Sequence, residues 1–398
     1  MIRVLYVLPE LSAEAETAAQ VRAQALLPRL ARSVSLTVLA YRGKSDLSAQ
    51  DAGFDIHHVS RRAMSSLKLA LGTVRPGPRS FRRFDTPQAR QCLAGLIDTL
   101  RPDIVHFDSF GTFGLIRVAR QARHQPAIVA HSHDAQSLRY LRFSRAGRLR
   151  DRVQYYAEYR KILAFEKHTL PGADLTIVDS PEDRDYLAEW LGPRSALLPL
   201  GFDLATYGTE GPRADLPPQS VVYSGSMKAR QSEDAAEFLA REVMPLVWQR
   251  FPESSLHIVG SSPTRVIQAL ASDRVAVTGF VEDLASYLRA ATVYACPLRL
   301  GSGMRTRVIE ALACGAVTVA TDLAIRGLAP GDSGADPWMV EETAPGIAAR
   351  ICEVLAGGHG ELAAQAAEYA RSRYSWDAVG DQLLGYYDGI VDGRGGAR

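Results

Sequence analysis

The sequence predicts an α/β chain built from two successive parallel-sheet units. Its 398 residues exceed the roughly 150 residues of a typical domain. Short apolar, β-branched runs alternate with segments of helical period, the pattern of a parallel sheet covered by helices on both faces. The alternation stops at a Pro-, Gly- and polar-rich stretch from Leu204 to Ser220 and then restarts, which marks a linker between units.

In the first unit, Ile2–Leu8 reads as a buried strand that Pro9 ends. Ala18–Arg32 has helical period, with Val21, Ala25, Leu26 and Leu30 on one face. Strands follow at Val34–Tyr41 and Phe54–Val59. Gln88–Leu100 is a helix broken by Pro102. Asp103–Phe107 is a strand, Phe113–Arg123 a helix and Ala127–His131 a strand. A long helical stretch runs from about Arg148 to Leu170, then the strand Leu175–Val178 and the helix Pro181–Trp190. The second unit opens with the strand Val221–Tyr223, closed by Ser224-Gly225-Ser226. A helix over Glu233–Arg250 leads to strands at Ser255–Val259 and Val275–Val277. The helix Leu284–Ala290, the strand Thr292–Ala295, the helix Thr306–Ala313 and the strand Ala316–Ala320 come next. Helices at Ala344–Leu355 and Leu362–Arg373 finish it. The resulting division is 1–203, 204–375 and a C-terminal helix, 376–398, that crosses back to the first domain. Ligands of open parallel sheets sit beyond the carboxyl ends of the strands, where the strand order reverses. The expected active site is therefore the cleft between the two domains.

Composition narrows the function. Apolar residues make up 46% of the chain and charged residues 23%, enough for sizeable cores in a soluble protein. A formal net charge of +2 gives no reason to expect nucleic acid. Cys92, Cys296, Cys314 and Cys352 form no Cys-x-x-Cys pair, which argues against a disulfide framework or a zinc site. Met1–Leu8 is too short for a secretion signal, and no run approaches the roughly 20 apolar residues of a membrane helix. The expected compartment is the cytoplasm, with peripheral attachment to the inner membrane face as an option. That option comes from Arg139–Lys161, where eight Arg and Lys stand against Asp151 and Glu158. The run is either a solvated, salt-laced helix or a surface for anionic lipid or a phosphorylated acceptor.

The chemistry concentrates in Pro297-Leu-Arg-Leu-Gly-Ser-Gly-Met-Arg-Thr-Arg-Val-Ile-Glu-Ala-Leu-Ala-Cys-Gly315, which follows a strand and enters a helix. Gly301 and Gly303 let backbone approach a ligand closely. The free amides of the helix start favour an anion. Arg305 and Arg307 place positive charge in the first turn, where the helix dipole disfavours it unless an anion such as a diphosphate is bound. One turn deeper, Glu310 can accept two hydrogen bonds from a vicinal diol such as a ribose, or pair with Arg307.

This segment resembles the donor-binding region of retaining family 4 glycosyltransferases, which have the GT-B fold. It is closest to an exopolysaccharide sugar-transferase subgroup that reads Gly-x-Gly-x-Arg-x-Lys-x-x-Glu-Ala-x-Ala-x-Gly. Val222–Met227, Leu256–Gly260, Val277–Leu284 and Tyr374–Asp377 look like the family's other signature blocks, in order. The resemblance implies two Rossmann-like domains with parallel sheets facing across a cleft. The second would hold a nucleoside diphosphate sugar and the first the acceptor.

Carried over residue by residue, the resemblance implies that Glu310 binds the donor ribose. Ser302 stands where the family has the first Glu of a Glu-x7-Glu motif, a residue that contacts the transferred sugar. Gly303, Met304, Arg305 and Thr306 fill the rest of that donor turn. Gly225 and Ser226 form the phosphate-side loop, with Lys228 or Arg230 as its cation, and backbone groups at Phe280 and Val281 read the base. On the acceptor side, His133 matches the family's His-containing turn with His131 as runner-up, and His106 is a wall residue. Such a His can hydrogen-bond the donor sugar or the acceptor hydroxyl. Glu166 matches a structural helix position, and the loop after the first strand, Glu10–Thr17, lacks the family's Gly.

The implied reaction moves a sugar to a hydroxyl acceptor with retention, in polysaccharide, glycolipid or glycosylated-metabolite synthesis. His133, Arg305 and Lys228 are the candidate catalytic residues. The helix-start amides and Arg305, with Lys228 or Arg230 opposite, would stabilise the leaving diphosphate. No cofactor and no metal are expected, since no Asp-x-Asp ends a strand. Two alternatives stand beside this one: a catalytically silent nucleotide-sugar binder, and another GT-B enzyme such as a nucleotide-sugar epimerase or a phosphorylase.

Overall fold

The computed structural model describes residues 1–12, 14, 17–43, 46–48, 52–61, 77–145, 149–300, 306–328 and 336–395. The chain divides into two units, Met1–Leu200 with Val379–Arg398, and Gly201–Ala378.

The first unit is a seven-stranded parallel sheet. Its strands are β1 (Arg3–Leu8), β2 (Ser35–Tyr41), β3 (Asp55–Val59), β4 (Ile104–Asp108), β5 (Ala127–His133), β6 (Leu175–Val178) and β7 (Ser195–Leu197), in the order β3-β2-β1-β4-β5-β6-β7. Every residue of β4, and all of β1 beyond Arg3, is buried. That double-sided burial is why both strands read as apolar runs. The chain leaves β1 toward β2 and returns to its other side at β4, so the order reverses between β1 and β4, and their carboxyl ends border a crevice.

Local sequence starts three of the helices. In α1 (Ala18–Leu30), Thr17 and Gln20 form a capping box. Thr86 caps α2 (Pro87–Leu100), whose first residue is Pro. Next come α3 (Gln136–Arg145) and α4 (Leu149–His168). Ser180 caps α5 (Pro181–Leu191), where Glu182 and Asp183 complement the helix dipole in the first turn.

The second unit is a six-stranded parallel sheet of β8 (Ser220–Ser224), β9 (Ser255–Val259), β10 (Val275–Gly279), β11 (Val293–Cys296), β12 (Thr318–Ala320) and β13 (Met339–Val340). Its order is β10-β9-β8-β11-β12-β13, which reverses between β8 and β11. Its main helices are α6 (Arg230–Phe238), α7 (Thr306–Ala313), α8 (Ala344–Leu355) and α9 (Gly360–Tyr374). A last helix, α10 (Trp376–Gly395), begins in the second unit and continues into the first. Within the first unit, Gln382 Nε2 and Tyr386 OH donate to the Leu197 carbonyl at 2.8 and 2.7 Å, and Arg394 pairs with Asp174 at 2.6 Å.

Several elements differ from the sequence reading. The expected single helix Glu233–Arg250 is α6, a π-turn at Leu239–Val243 and a short helix at Met244–Trp248. Pro245 has no N–H to give, and its ring would strike the carbonyl four residues back, so the wider turn absorbs it. The edge strands β7 and β13 are three and two residues long, too short to show a period. The buried residues of α3 are Ser137 and Ser144, so that helix carries no apolar stripe to recognise. On α1 the buried positions are Arg22, Ala23, Leu26, Leu27 and Leu30, and Val21 is 43% exposed. The helix is rolled from the expected face, because Arg22 is drawn inward.

Candidate active site

In the first unit the structure brings His106, His131 and His133 together at the carboxyl ends of β4 and β5. A β-bulge interrupts the β5–β6 register between His131 and His133, and His133 adopts φ +66°. Four further residues complete the cluster: Tyr6 on β1, Asp108 at the end of β4, Asp179 just after β6 and Arg22 on α1. Tyr387 reaches it from α10.

The connections are continuous. Tyr387 OH lies 2.8 Å from His106 Nδ1, and His106 stacks on Tyr6 at 4.2 Å. Tyr6 OH donates to Asp108 Oδ2 at 2.7 Å, and His133 Nε2 donates to Asp108 Oδ1 at 2.7 Å. The Asp179 amide donates to the His133 carbonyl at 2.8 Å. Arg22 is fully buried, and its Nη1 lies 2.7 Å from Asp179 Oδ1, 2.6 Å from His131 Nε2 and 2.8 Å from His133 Nδ1.

Charge balance decides how the protons are placed. Burial alone would depress the His133 imidazole, but Asp108 and Asp179 outweigh it and raise its pKa to about 9. Burial, Arg22 and His133 together lower His131 to about 4, and burial with its cationic neighbours holds His106 well below its ordinary value. Burial works against both carboxylates. His133 nevertheless lowers Asp108, and Arg22 with His133 lowers Asp179 well below its ordinary value. At neutral pH two cations, Arg22 and His133, therefore face two anions, Asp108 and Asp179. The two Nη1 protons of Arg22 serve Asp179 and the neutral His131, and His133 Nδ1–H turns to Asp179 Oδ2 at 3.5 Å. Both nitrogens of His133 are thus engaged within the cluster.

Asp108, His131 and His133 each offer a donor atom, all within 4.8 Å of one another, the spacing of a metal trio. Arg22 places its own positive charge 2.6 and 2.8 Å from the two imidazoles. The trio as built is filled by a guanidinium, which a second cation would have to displace.

The pKa shifts set a pH dependence. His133 is raised, so its stabilisation is full below about pH 6.5 and is lost as pH climbs through 9. His131 is a depressed base, so its cost grows as pH falls from about 6.5 through 4. Stability of the first unit should fall as pH climbs from about 6.5 to 9, while between about pH 4.5 and 6.5 the cost of His131 is offset by Glu166, whose burial raises its carboxyl to about 7 and so favours lower pH. Urea unfolding across a pH series checks this, and a flat profile between pH 6.5 and 9 would remove the imidazolium assignment.

In the second unit the β8–α6 loop carries Gly225, Ser226, Lys228 and Arg230. Met227 is fully buried and its amide donates to Ser261 O at 2.9 Å, which leaves Ser226, Lys228 and Arg230 exposed around that anchor. Gly260, after β9, has φ +149°, and a Cβ there would overlap the Gly225 carbonyl. Arg307, in the first turn of α7, turns inward under the same loop. Its Nη1 donates to Ser224 O at 3.0 Å and to Ser232 Oγ and Tyr223 OH at 3.2 Å each. Its guanidinium braces the loop from beneath and keeps its positive charge beside Gly225.

Glu310 is half-buried on α7, which Val308, Ile309, Ala311, Leu312 and Ala313 pin to the core. Burial raises its carboxyl to about 7 against the pull of Arg307. Thr306 begins α7 and is half-buried. Phe280, just past β10, is 75% exposed, and Val281 packs partly against the core. Gly301, Ser302, Gly303, Met304 and Arg305 lie outside the described residues. Glu166 is fully buried, accepts the Ser137 amide at 3.1 Å and has its pKa raised by burial to about 7; it ties α4 to α3.

Sequence reasoning missed Tyr6, Arg22, Asp108, Asp179 and Tyr387 as site residues. Asp108 and Asp179 carried a usable signal, since each closes or follows a strand at its carboxyl end. Arg22 and Tyr387 carried none.

Comparison with known proteins places these units. Residues 19–206 match the family model "Glycosyltransferase Family 4", and residues 218–357 match "Glycosyl transferases group 1". The chain is 30% identical over 224 residues to a phosphatidyl-myo-inositol mannosyltransferase of Mycolicibacterium smegmatis, covering 53% of this chain and 56% of the relative. Its counterpart in Mycobacterium tuberculosis is 28% identical over 222 residues, covering 52% and 57%. The chain thus spans about half the length of the curated relatives it matches. Among solved structures, sucrose-phosphate synthase of Thermosynechococcus elongatus superimposes with a TM-score of 0.63 at 19% identity, covering 98% of this chain and 100% of that one. Anabaena Alr3699/HepE in complex with UDP gives 0.62 at 13%, covering 98% and 100%. The lipopolysaccharide outer core galactosyltransferase WaaB gives 0.62 at 13%, covering 97% and 99%. These structural likenesses establish the GT-B fold. No helix among the described residues is long and apolar enough to cross a membrane.

Proposed function

The chain belongs to the family 4-like glycosyltransferases of GT-B fold, and we propose that it moves a sugar from a nucleoside diphosphate sugar to a hydroxyl acceptor with retention of anomeric configuration. The observation that carries this reading is the order reversal between β8 and β11. Gly225 follows one of those strands, and the segment bearing Glu310 follows the other. Glu310 is the ribose-binding carboxylate in this reading, accepting a hydrogen bond from each hydroxyl of the diol when ionised. Phe280 offers an exposed ring beside the base, and Val281 a backbone contact.

Catalysis in this reading is electrostatic. Lys228 and Arg230 from one side, and Arg305 with the amides at the start of α7 from the other, stabilise the leaving diphosphate without a metal. Ser226, Ser302, Gly303, Met304 and Thr306 line the phosphates and sugar. His133 contributes a fixed positive charge on the acceptor side, because both of its nitrogens are engaged by its neighbours. The acceptor is lipid-linked or otherwise anionic and is met at the cytoplasmic face of a membrane. The basic run Arg139–Lys161 and the lipid named for two relatives support that part.

Thermal-shift screening against UDP-, GDP- and ADP-sugars tests the donor, since binding stabilises the fold by mass action. Absence of a shift with every donor would sink the proposal. Anomeric analysis of the product tests retention, and full activity in chelator tests metal independence. Glu310→Ala should weaken donor binding at least tenfold, the loss of about 1.4 kcal/mol expected when charge-assisted hydrogen bonds are removed. Unchanged donor affinity by calorimetry would free Glu310 from this role. Ser302, in place of the family's first Glu, favours one rival, a nucleotide-sugar binder without turnover. Donor binding without transfer or hydrolysis across several acceptors would select it.

A further inference from the structure

A groove on the first unit is lined by none of the residues of the histidine cluster and takes in Arg160 and Lys161, the end of the basic run. It has a volume of about 950 Å³ and runs between α4, the short helix Phe81–Phe84 and the turn Phe110–Leu115. Its floor is aromatic: Phe81 meets Phe165 edge-on at 4.7 Å, and Phe113 is buried beside them. Its lining holds five cations among the described residues: Arg82, Arg90, Arg117, Arg160 and Lys161. One carboxylate, Asp85, balances Arg90 at 2.6 Å and Arg117 at 2.8 Å. Lys161 has Glu158 at 4.0 Å. The lining nonetheless carries five positive charges against one negative. Burial holds the Lys161 ammonium below its ordinary pKa, and Arg82 and Arg79 press it the same way against the pull of Glu158. Positive charge is crowded here, and an anion would relieve it.

The groove opens along one side of α4. Val153, Tyr156, Arg160 and Ala164 are spaced three, four and four residues apart and are all exposed, so they form a single stripe on the helix. Its lower residues, Arg160 and Ala164, line the groove, and its upper residues are apolar. Eleven large hydrophobic residues are exposed among those described, and four of them, Phe143, Val153, Tyr155 and Tyr156, fall on α3 and α4. Exposed arginines at positions 142, 145 and 152 surround them. A stripe of Tyr and Val bordered by arginine suits the interface of an anionic bilayer, where aromatic rings sit at headgroup level and cations meet phosphate.

We infer that this groove and stripe form a docking site for the phosphate of a bilayer lipid, with the phosphate among Arg82, Arg160 and Lys161 and the Val153–Tyr156 edge against the acyl boundary. The site deepens the membrane part of the proposed function and rests on that part, but not on sugar transfer itself. The test is therefore vesicle flotation of the full chain with no sugar donor present. Phosphatidylcholine vesicles with and without phosphatidylglycerol are compared at low and high salt. The expected result is binding to the anionic vesicles that weakens as salt rises. Arg160→Gln/Lys161→Gln should weaken it roughly 30-fold, from about 1 kcal/mol per cation near an anionic surface. Val153→Ser/Tyr156→Ser, at exposed positions that leave the core intact, should weaken it about tenfold through lost apolar insertion. Matching thermal melts confirm that each variant is folded. The inference is overturned by equal binding to neutral vesicles, by no vesicle binding, or by double variants that bind like wild type. It is also overturned if inorganic phosphate stabilises the wild type but not Arg160→Gln/Lys161→Gln while vesicles are ignored, because the occupant is then a soluble phosphate.

Discussion

Replacing Arg22 with Met is expected to destabilise the first unit by about 3–5 kcal/mol, the range for removing one partner of a buried ion pair. The guanidinium is fully buried and is the shared neighbour of Asp179, His131 and His133. Without it, Asp108 and Asp179 face His133 alone, and one negative charge is left uncompensated. Asp179 is 25% exposed, so water can reach it and the loss should fall at the lower end of the range. For a unit of this size that corresponds to a melting temperature lower by roughly 10 °C. The partner variant Asp179→Asn should recover part of the loss when combined with Arg22→Met, because it removes the orphaned charge. The double-mutant cycle therefore separates electrostatics from packing. The His133 imidazole should also titrate at higher pH in Arg22→Met, since a nearby cation has been removed while both carboxylates remain. A loss below about 1 kcal/mol, outside the range for a buried pair, would mean that Arg22 merely fills space.

The same residue shows where the sequence could and could not be read. Alternation of strands and helices is a backbone-level signal, and it located β1, β2, β4 to β6 and their counterparts in the second unit, because strands buried on both faces must be apolar throughout. The three histidines were legible for a related reason: each lies within the last three residues of its strand, and strand ends in a parallel sheet converge. Arg22 was hidden by the rule that works elsewhere on α1, where an arginine within an amphipathic helix is assigned to water. Only the tertiary placement of Asp179, 157 residues later, reverses that assignment. Tyr387 reaches His106 across 281 residues, from a helix whose pattern gives no hint of a polar contact.

The β8–α6 loop shows a second kind of limit. Gly225, Gly260 and Arg307 were all visible in their motifs, but their mutual packing was not. The sequence read Arg307 as a first-turn charge and gave no sign that its hydrogen bonds run to Tyr223, Ser224 and Ser232. A charge's direction depends on which acceptors lie within reach, and no spacing rule carries that information.

That packing makes an ordered prediction for two glycines that look alike in sequence. At Gly260 an added methyl would overlap a backbone atom, the Gly225 carbonyl oxygen, and the residue's φ of +149° is one that L side chains rarely adopt. Neither strand end can retreat without breaking ladder bonds to its neighbours. At Gly225 the added methyl would meet the end of the Arg307 side chain, which can swing aside at the cost of its bonds to the loop. Gly260→Ala should therefore cost the second unit about 3 kcal/mol, the sum of backbone strain and displacement, and Gly225→Ala about 1–2 kcal/mol, because the end of the Arg307 side chain can exchange its three bonds to Tyr223, Ser224 and Ser232 for bonds to water. If the β8–α6 loop holds the donor phosphates, the affinities need not follow the stabilities. Gly225→Ala displaces Arg307 and narrows the loop where the diphosphate would lie, so it should lower donor affinity more than its small stability loss implies. Paired denaturation and donor-binding titrations on the two variants measure both quantities. Equal stability losses would contradict the packing, and unchanged donor affinity in Gly225→Ala would place the phosphates elsewhere.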